Sequence, residues 1–217
     1  MIPQNQRSRE WHKFRNERVG SSDASAIMGC GFLSIGELFD IKLGLRKPEE
    51  DNAAMARGNA LEDEARAAFE AETGLVVFPM VCVSKDYPWM IASMDGMTIE
   101  KDVAVEIKCP GWKTHQKTVK EGVPEYYIPQ LQHQMAVTGL QVIYYFSYYR
   151  LNDLFQPETL LIKIARDDAY IAKLIEREKQ FMKLLDDGWR TIKYYEDTLD
   201  TLKDEVYKIL EENETQA

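Results

Sequence analysis

The run Val103-Ala104-Val105-Glu106-Ile107-Lys108 constrains the fold of this chain more than any other stretch, because from Val105 on it alternates apolar and charged residues. Side chains along a strand point to opposite faces with period two. Val105 and Ile107 therefore share one face, and Glu106 and Lys108 share the other. Upstream, an apolar run from Trp89 to Met94 stops at Asp95-Gly96, which places Asp95 at a strand end or tight turn. Residues 91–110 thus read as two short strands joined by a turn. Buried charge is costly unless it is paired or binds a metal, so a carboxylate beside an ammonium in such a strand marks either an ion pair or a site.

The spacing Asp95, then Glu106, then Lys108 suits metal-assisted phosphodiester hydrolysis. Mg²⁺ takes hard oxygen ligands, commonly one or two carboxylates, and keeps waters and substrate phosphate for the rest. A bound metal lowers the pKa of its water and offsets charge in an in-line transition state. Lys108 could orient or deprotonate the attacking water. The alternative is a plain ion pair, since Glu-x-Lys tripeptides are common. Asp40-Ile41-Lys42 has the same form, but it lies in an expected helix, where i and i+2 do not face each other.

A chain of 217 residues is one domain, or one domain with an appendage. Its 45% hydrophobic content supports a core, and no apolar run reaches 18 residues. The start MIPQNQRSREWHKF lacks the apolar stretch of a signal peptide. Cys30, Cys82 and Cys109 lack metal-type spacing and read as reduced thiols, too few for a four-cysteine iron–sulfur cluster. The net charge of −9 argues at first against a nucleic-acid partner. However, residues 186–217 hold ten acids and four bases, whereas residues 1–18 hold five bases and two acids. Screening limits each charge to about 8 Å in physiological salt, so an acidic protein can still present a basic groove.

In chain order, Arg7 to Glu17 reads as a helix capped by Ser8. Gly20-Ser21-Ser22-Asp23 is a turn into a short helix, Ala24 to Met28, closed by Gly29. Ser22 either caps that helix or, with the free N–H groups of the turn, seats a phosphate. Ser34 opens a capping-box helix to Lys42, and Arg46 to Asp51 is a charged linker. A long helix follows from Ala53 to Thr73. Glu62 on it either points inward as a further ligand or is solvated in the run Glu62-Asp63-Glu64. Leu75 to Ser84 is a strand broken at Pro79. Trp112, Lys113, His115, Lys117 and Lys120 form a basic, aromatic loop. The helix from Pro124 to Thr138 carries Gln130 and Gln134 on one face, a polar face of the kind usually solvated. Gln141 to Tyr149 and Glu158 to Ala165 are strands. Two helices close the chain, Asp167 to Leu185 and Trp189 to Glu212, broken at Gly188; Leu199, Leu202, Val206, Tyr207, Ile209 and Leu210 form a docking stripe on the second. The order of elements gives an α/β fold with a central mixed sheet flanked by helices.

Several stretches together resemble the phage lambda exonuclease (YqaJ-type viral recombinase) family of the PD-(D/E)xK nuclease superfamily. They are Trp11-His12-Lys13-Phe14-Arg15, Gly20-Ser21-Ser22-Asp23-Ala24, Arg57-Gly58-Asn59-Ala60-Leu61-Glu62-Asp63-Glu64-Ala65, Ser93-Met94-Asp95-Gly96, Glu106-Ile107-Lys108-Cys109-Pro110 and Tyr127-Ile128-Pro129-Gln130-Leu131-Gln132. The likeness covers about residues 7–165. Met94 stands where the superfamily name has proline, a position that shapes the turn and contributes no ligand.

The resemblance implies a restriction-endonuclease-like core. The chain reads as one nuclease domain over 1–217, with 166–217 a helical extension that the resemblance does not cover. The resemblance also implies a Mg²⁺-dependent 5′→3′ exonuclease on double-stranded DNA, with two metals per site and Mn²⁺ able to substitute. Such an enzyme releases 5′-mononucleotides and leaves a 3′ single strand. The partners implied are DNA with a 5′-phosphate end, two further copies in a ring-shaped homotrimer, and a single-strand annealing protein. The implied setting is the cytoplasm of a bacterial host, for a phage or prophage protein with no membrane partner. The roles implied are Asp95, Glu106 and the Ile107 carbonyl on the metals, Glu62 at the second metal, Lys108 on water, and Gln130 holding that lysine or water. Arg15 and Ser22 would grip the 5′-phosphate, arginine being suited to bidentate contact. The rival readings are another nuclease of the superfamily, endonuclease or Cas4-like, and a non-catalytic DNA-binding assembly module.

Overall fold

In the computed structural model of the protein, residues 8–48, 53–152 and 154–215 are described, with side chains left undescribed at 53–54 and 204–215. The start of the chain before Ser8, the linker positions 49–51 and the stripe side chains Val206, Tyr207, Ile209 and Leu210 fall outside what is described. The elements are α1 Arg9–Asn16, β1 Val19–Gly20, α2 Ala24–Met28, α3 Ile35–Lys42, α4 Ala53–Thr73, β2 Phe78–Val83, β3 Met90–Met97, β4 Ala104–Lys108, α5 Trp112–Glu121, α6 Ile128–Thr138, β5 Val142–Tyr149, β6 Glu158–Ala165 and α7 Asp168–Thr215. Short 3₁₀ turns at Ser21–Asp23 and Glu125–Tyr127 lead into α2 and α6.

The six strands form one mixed sheet in the order β1-β3-β4-β5-β6, with β2 also on β3. β4 and β5 run parallel through the crossover of α5 and α6; the pairs β2–β3, β3–β4 and β5–β6 are antiparallel. Pro79 sits at a register shift between Phe78 and Met80, where a strand tolerates a residue without an N–H. The alternation of β4 sets the two layers. Val105 and Ile107 pack with Phe146 and Tyr148 against Ala65 and Phe69 of α4. On the other face Met90, Ala92, Met94 and Tyr145 pack against Leu131 and Met135 of α6 and Ile171 of α7. A smaller cluster joins Ile27, Leu38 and Leu43 to Phe181 and Leu185 of α7.

Three expectations change. β3 runs through Asp95-Gly96 to Met97, so Asp95 lies inside a strand and not at its end. Gly96 is there because a Cβ would lie 2.7 Å from Val77 and 2.8 Å from Val105. The basic segment after Pro110 is a helix, α5, not a loop. Its buried residues are His115 and Thr118, so its inner face is polar and leaves no apolar period to read. Finally, α7 does not break at Gly188. That glycine lets α7 approach α3, since a Cβ there would meet Leu43 at 2.8 Å and Phe39 at 3.1 Å.

Candidate active site

The β3–β4 ladder pairs Gly96 with Val105 and Met97 with Ala104, and then the strands part. Beyond that point the Ile107 N–H donates to Asp95 Oδ2 at 2.8 Å instead of to a strand carbonyl. The side chains singled out in β3 and β4 lie around this splay. Glu106 is buried on the α6 side. Its Oε1 accepts from Lys108 Nζ and from Gln130 Nε2, each at 2.5 Å, and its Oε2 accepts from Gln134 Nε2 at 2.5 Å. Gln130 and Gln134 stand one helical turn apart on α6. Their shared face, read from sequence as the kind usually solvated, is turned onto Glu106, and Gln134 is fully buried. Gln134 is thus a residue that sequence reasoning passed over; its one signal was the i, i+4 pairing with Gln130.

Glu62 of α4 is half-buried and held by Arg66 Nη2 at 2.6 Å. Arg66 also donates from Nε to the Asp95 carbonyl at 2.8 Å, so it ties α4 to β3 at the site. Arg66 had no signal in the sequence. Burial, Glu106 and Glu62 push the Asp95 carboxyl well above the usual carboxylate range, against the pull of Lys108 and the Ile107 N–H. Burial works against the charge on Lys108, but Glu106 and Asp95 outweigh it and hold the ammonium above its usual range. In this arrangement Lys108 is a cation that donates hydrogen bonds. It could accept a proton only if another positive charge offset the carboxylates. Burial, with Asp95 and Glu62, pushes the Cys109 thiol up to about 12, which disfavours the thiolate.

The donor chemistry fits a hard dication. Glu106 and Glu62 act on Asp95, and the cations beside these three carboxylates are Lys108 and Arg66, which leaves surplus negative charge. Among the described residues no three Asp, Glu, His or Cys side chains gather as a ready-made ligand cluster. A site with two converging carboxylates suits Mg²⁺, which keeps several waters, better than a metal that needs an all-protein cage.

The N-terminal turn forms a second cluster. Ser22 does not cap α2; its hydroxyl accepts from Arg15 Nη2 at 2.5 Å. Arg15 also lies 3.6 Å from Asp23, while Glu17 pairs with Arg18. Asp23 Oδ2 accepts from the Gly20 N–H at 2.8 Å and from Lys42 Nζ at 2.6 Å. Lys42, set aside above as part of a misleading Asp-x-Lys, is buried and also donates to the Arg15 and Arg18 carbonyls. Burial pushes Asp23 up, but Lys42 and Arg15 outweigh it and hold the carboxylate below its usual range. The pair fixes the turn and leaves Ser22 exposed and the Arg15 side chain partly so. α6 packs on this turn as well as on β3.

A mixed sheet flanked by helices, with Asp95, Glu106 and Lys108 at a strand splay, defines an α/β fold of PD-(D/E)xK type. The model of the YqaJ-like viral recombinase domain matches residues 10–141, and the chain belongs to that family. A curated relative, "Uncharacterized protein YqaJ" of Bacillus subtilis (strain 168), is 29% identical over 177 residues, covering 79% of this chain and 54% of that protein. The chain thus spans about half the length of that relative. The alkaline exonuclease LHK-Exo from Laribacter hongkongensis superposes with a TM-score of 0.73 at 34% identity, covering 88% of this chain and all of that one. LHK-Exo in complex with dAMP matches equally well, at 32% identity. A phage-related exonuclease from Haemophilus somnus 129PT shares the fold, with a TM-score of 0.60 at 18% identity over 79% of this chain and 96% of that one. Among the described residues no helix is long and apolar enough to cross a membrane.

Proposed function

We propose that this chain is a Mg²⁺-dependent 5′→3′ exonuclease that degrades one strand of linear double-stranded DNA to 5′-mononucleotides and leaves a 3′ single strand. The observation that carries this reading is the joining of Asp95, Glu106 and Lys108 at the β3–β4 splay, with Gln130 and Gln134 fixing the Glu106 carboxylate. The likeness to an alkaline exonuclease solved with a mononucleotide supports it.

Asp95, Glu106 and the Ile107 carbonyl would hold the metal, with Glu62 at a second; Mn²⁺ would serve in its place. The metal supplies a more acidic water and charge for the phosphoryl oxygens. Lys108 orients that water from beside the carboxylates, and Gln130 holds the Glu106 oxygen to which Lys108 also donates. Arg66 aims Glu62. Arg15 and Ser22 receive the terminal 5′-phosphate and bring the first phosphodiester into line, where a misplacement of about 1 Å can cost roughly 100-fold in rate. The chain acts as a ring-shaped homotrimer around DNA, in the bacterial cytoplasm, and hands its 3′ strand to a single-strand annealing protein.

Linear duplex labelled at either the 5′ or the 3′ end, with circular plasmid alongside, tests the reading in Mg²⁺ and in EDTA. The expected result is early release of the 5′ label in Mg²⁺ alone, with intact circles. Cut circles would show an endonuclease, and early loss of the 3′ label would reverse the polarity.

A further inference from the structure

A bare aromatic ring stands past the far end of α2. The turn that carries it is fixed: Gly29 takes a φ of +79°, and the Cys30 and Gly31 N–H groups donate to the Ser25 carbonyl at 3.0 and 2.9 Å. A Cβ on Gly31 would lie 2.8 Å from the Ala26 nitrogen, so only glycine fits there. This turn holds Phe32 88% exposed, its ring centroid 4.9 Å from that of Tyr126. The Tyr126 ring is tilted by 59° against that of Tyr127, with centroids 4.5 Å apart, and Lys108 Nζ lies 4.9 Å from the Tyr127 centroid. Ser25 Oγ donates to the Tyr126 carbonyl at 2.6 Å and locks the turn to the ladder. An unbroken series of rings therefore leads from the Lys108 ammonium to solvent. The same short helix α2 begins at the Arg15–Ser22 cluster, so the ring pair is tied to both halves of the candidate site.

Phe32 adds little to the core at that exposure, so its place is not explained by folding. Charge decides what suits it. The ammonium groups of Lys117 and Lys108 act on Tyr126, while the Glu125 carboxylate acts on Cys30 within the turn. A phosphate set on the turn would meet Glu125. A neutral base laid on Phe32 would meet a ring face, with its backbone free to run toward the lysines. Aromatic rings interleaved with cations are how proteins hold single strands without reading sequence.

We propose that Phe32, backed by Tyr126, is a stacking platform for a nucleobase at the unpaired end of the DNA being degraded. The proposal deepens the exonuclease reading above and rests on it. The platform would hold the end frayed, so that the strand to be cut is presented singly.

The test uses the full chain and a 5′-phosphorylated duplex carrying 2-aminopurine at successive positions from the end, titrated in EDTA so that nothing is cut. Wild-type protein should quench the probe at one position near the end. Phe32→Leu keeps the apolar bulk but lacks the π face; it should lose that quench and bind about tenfold more weakly. Phe32→Trp should restore both, and all three proteins should melt alike. Equal quench and affinity for wild type and Phe32→Leu would overturn the platform. So would a Phe32→Leu protein that binds DNA normally but changes mass in light scattering, which would make the ring a protein contact. Digestion of the same duplexes in Mg²⁺ separates the two levels. If wild type neither binds nor degrades them, the nuclease reading fails and takes the platform with it. If it degrades them and Phe32→Leu matches it at every duplex concentration, the platform alone fails.

Discussion

The Glu106 carboxylate shows how far single residues could be read. Its partner Lys108 follows from strand alternation and Asp95 from the stretch upstream, while Gln130 was picked out by a motif. Gln134 was visible only as part of a polar helical face, and such faces are usually wet. Here the face is dry because Glu106 needs donors on both oxygens, and burial of one side chain decided the fate of another across the sheet. Gln134→Leu removes the Nε2 donor on Oε2 and leaves that oxygen buried. Loss of such a supporting contact typically costs 10–100-fold in metal affinity or activity, and an unmet buried acceptor costs about 1–3 kcal/mol. Both losses are expected, in Mg²⁺ titrations of initial rate and in urea melts; wild-type values in both would show that the contact is idle. At the N-terminal cluster, duplexes with 5′-hydroxyl ends should start much more slowly than phosphorylated ones. Arg15→Ala should erase most of that preference, measured as the ratio of initial rates, and equal rates for the wild type would rule out a phosphate grip.

Elements were legible where their inner faces are apolar and illegible where they are not. Strands β4, β5 and β6 and helices α2, α3 and α4 fall where alternation, caps and glycines put them. α5 was hidden by its buried His115 and Thr118, and the break expected at Gly188 is a close helix contact. α7 is joined to the sheet by a buried histidine of α6. His133 of α6 is fully buried, with Nδ1 2.7 Å from Glu178 Oε1 of α7 and Nε2 3.0 Å from the Ile91 carbonyl of β3. Both ring nitrogens face acceptors, which favours the doubly protonated ring. Burial opposes that charge, but Glu178, the Ile91 carbonyl and the more distant Asp23 outweigh it and raise His133 above its usual value. A histidine raised on folding stabilises fully below its unfolded pKa of about 6.5 and loses that contribution as pH climbs through its folded pKa. Stability from urea melts should therefore fall on the alkaline side of about pH 6.5. His133→Gln should flatten that part of the curve, and an unchanged slope would refute the link.

For the whole molecule, net charge was the misleading quantity. Of the total of −9, −6 falls on residues 186–217, while residues 1–18 carry +3, so a basic segment and an acidic tail coexist in one chain. The exposed Leu199 and Leu202 on that tail agree with a contact between copies. Light scattering at working concentration should give three times the chain mass of 25.1 kDa, and a monomer would contradict the ring. The central claim is that hydrolysis happens where Asp95, Glu106 and Lys108 meet. It is tested most directly by chromatography of the products from 5′-labelled linear duplex, comparing wild type with Lys108→Ala in Mg²⁺ and in EDTA, with circular dichroism to show that both are folded. The predicted result is labelled 5′-mononucleotide from wild type in Mg²⁺ and none from the other three reactions. Mononucleotide from folded Lys108→Ala at near wild-type rate, or from wild type in EDTA, would contradict it.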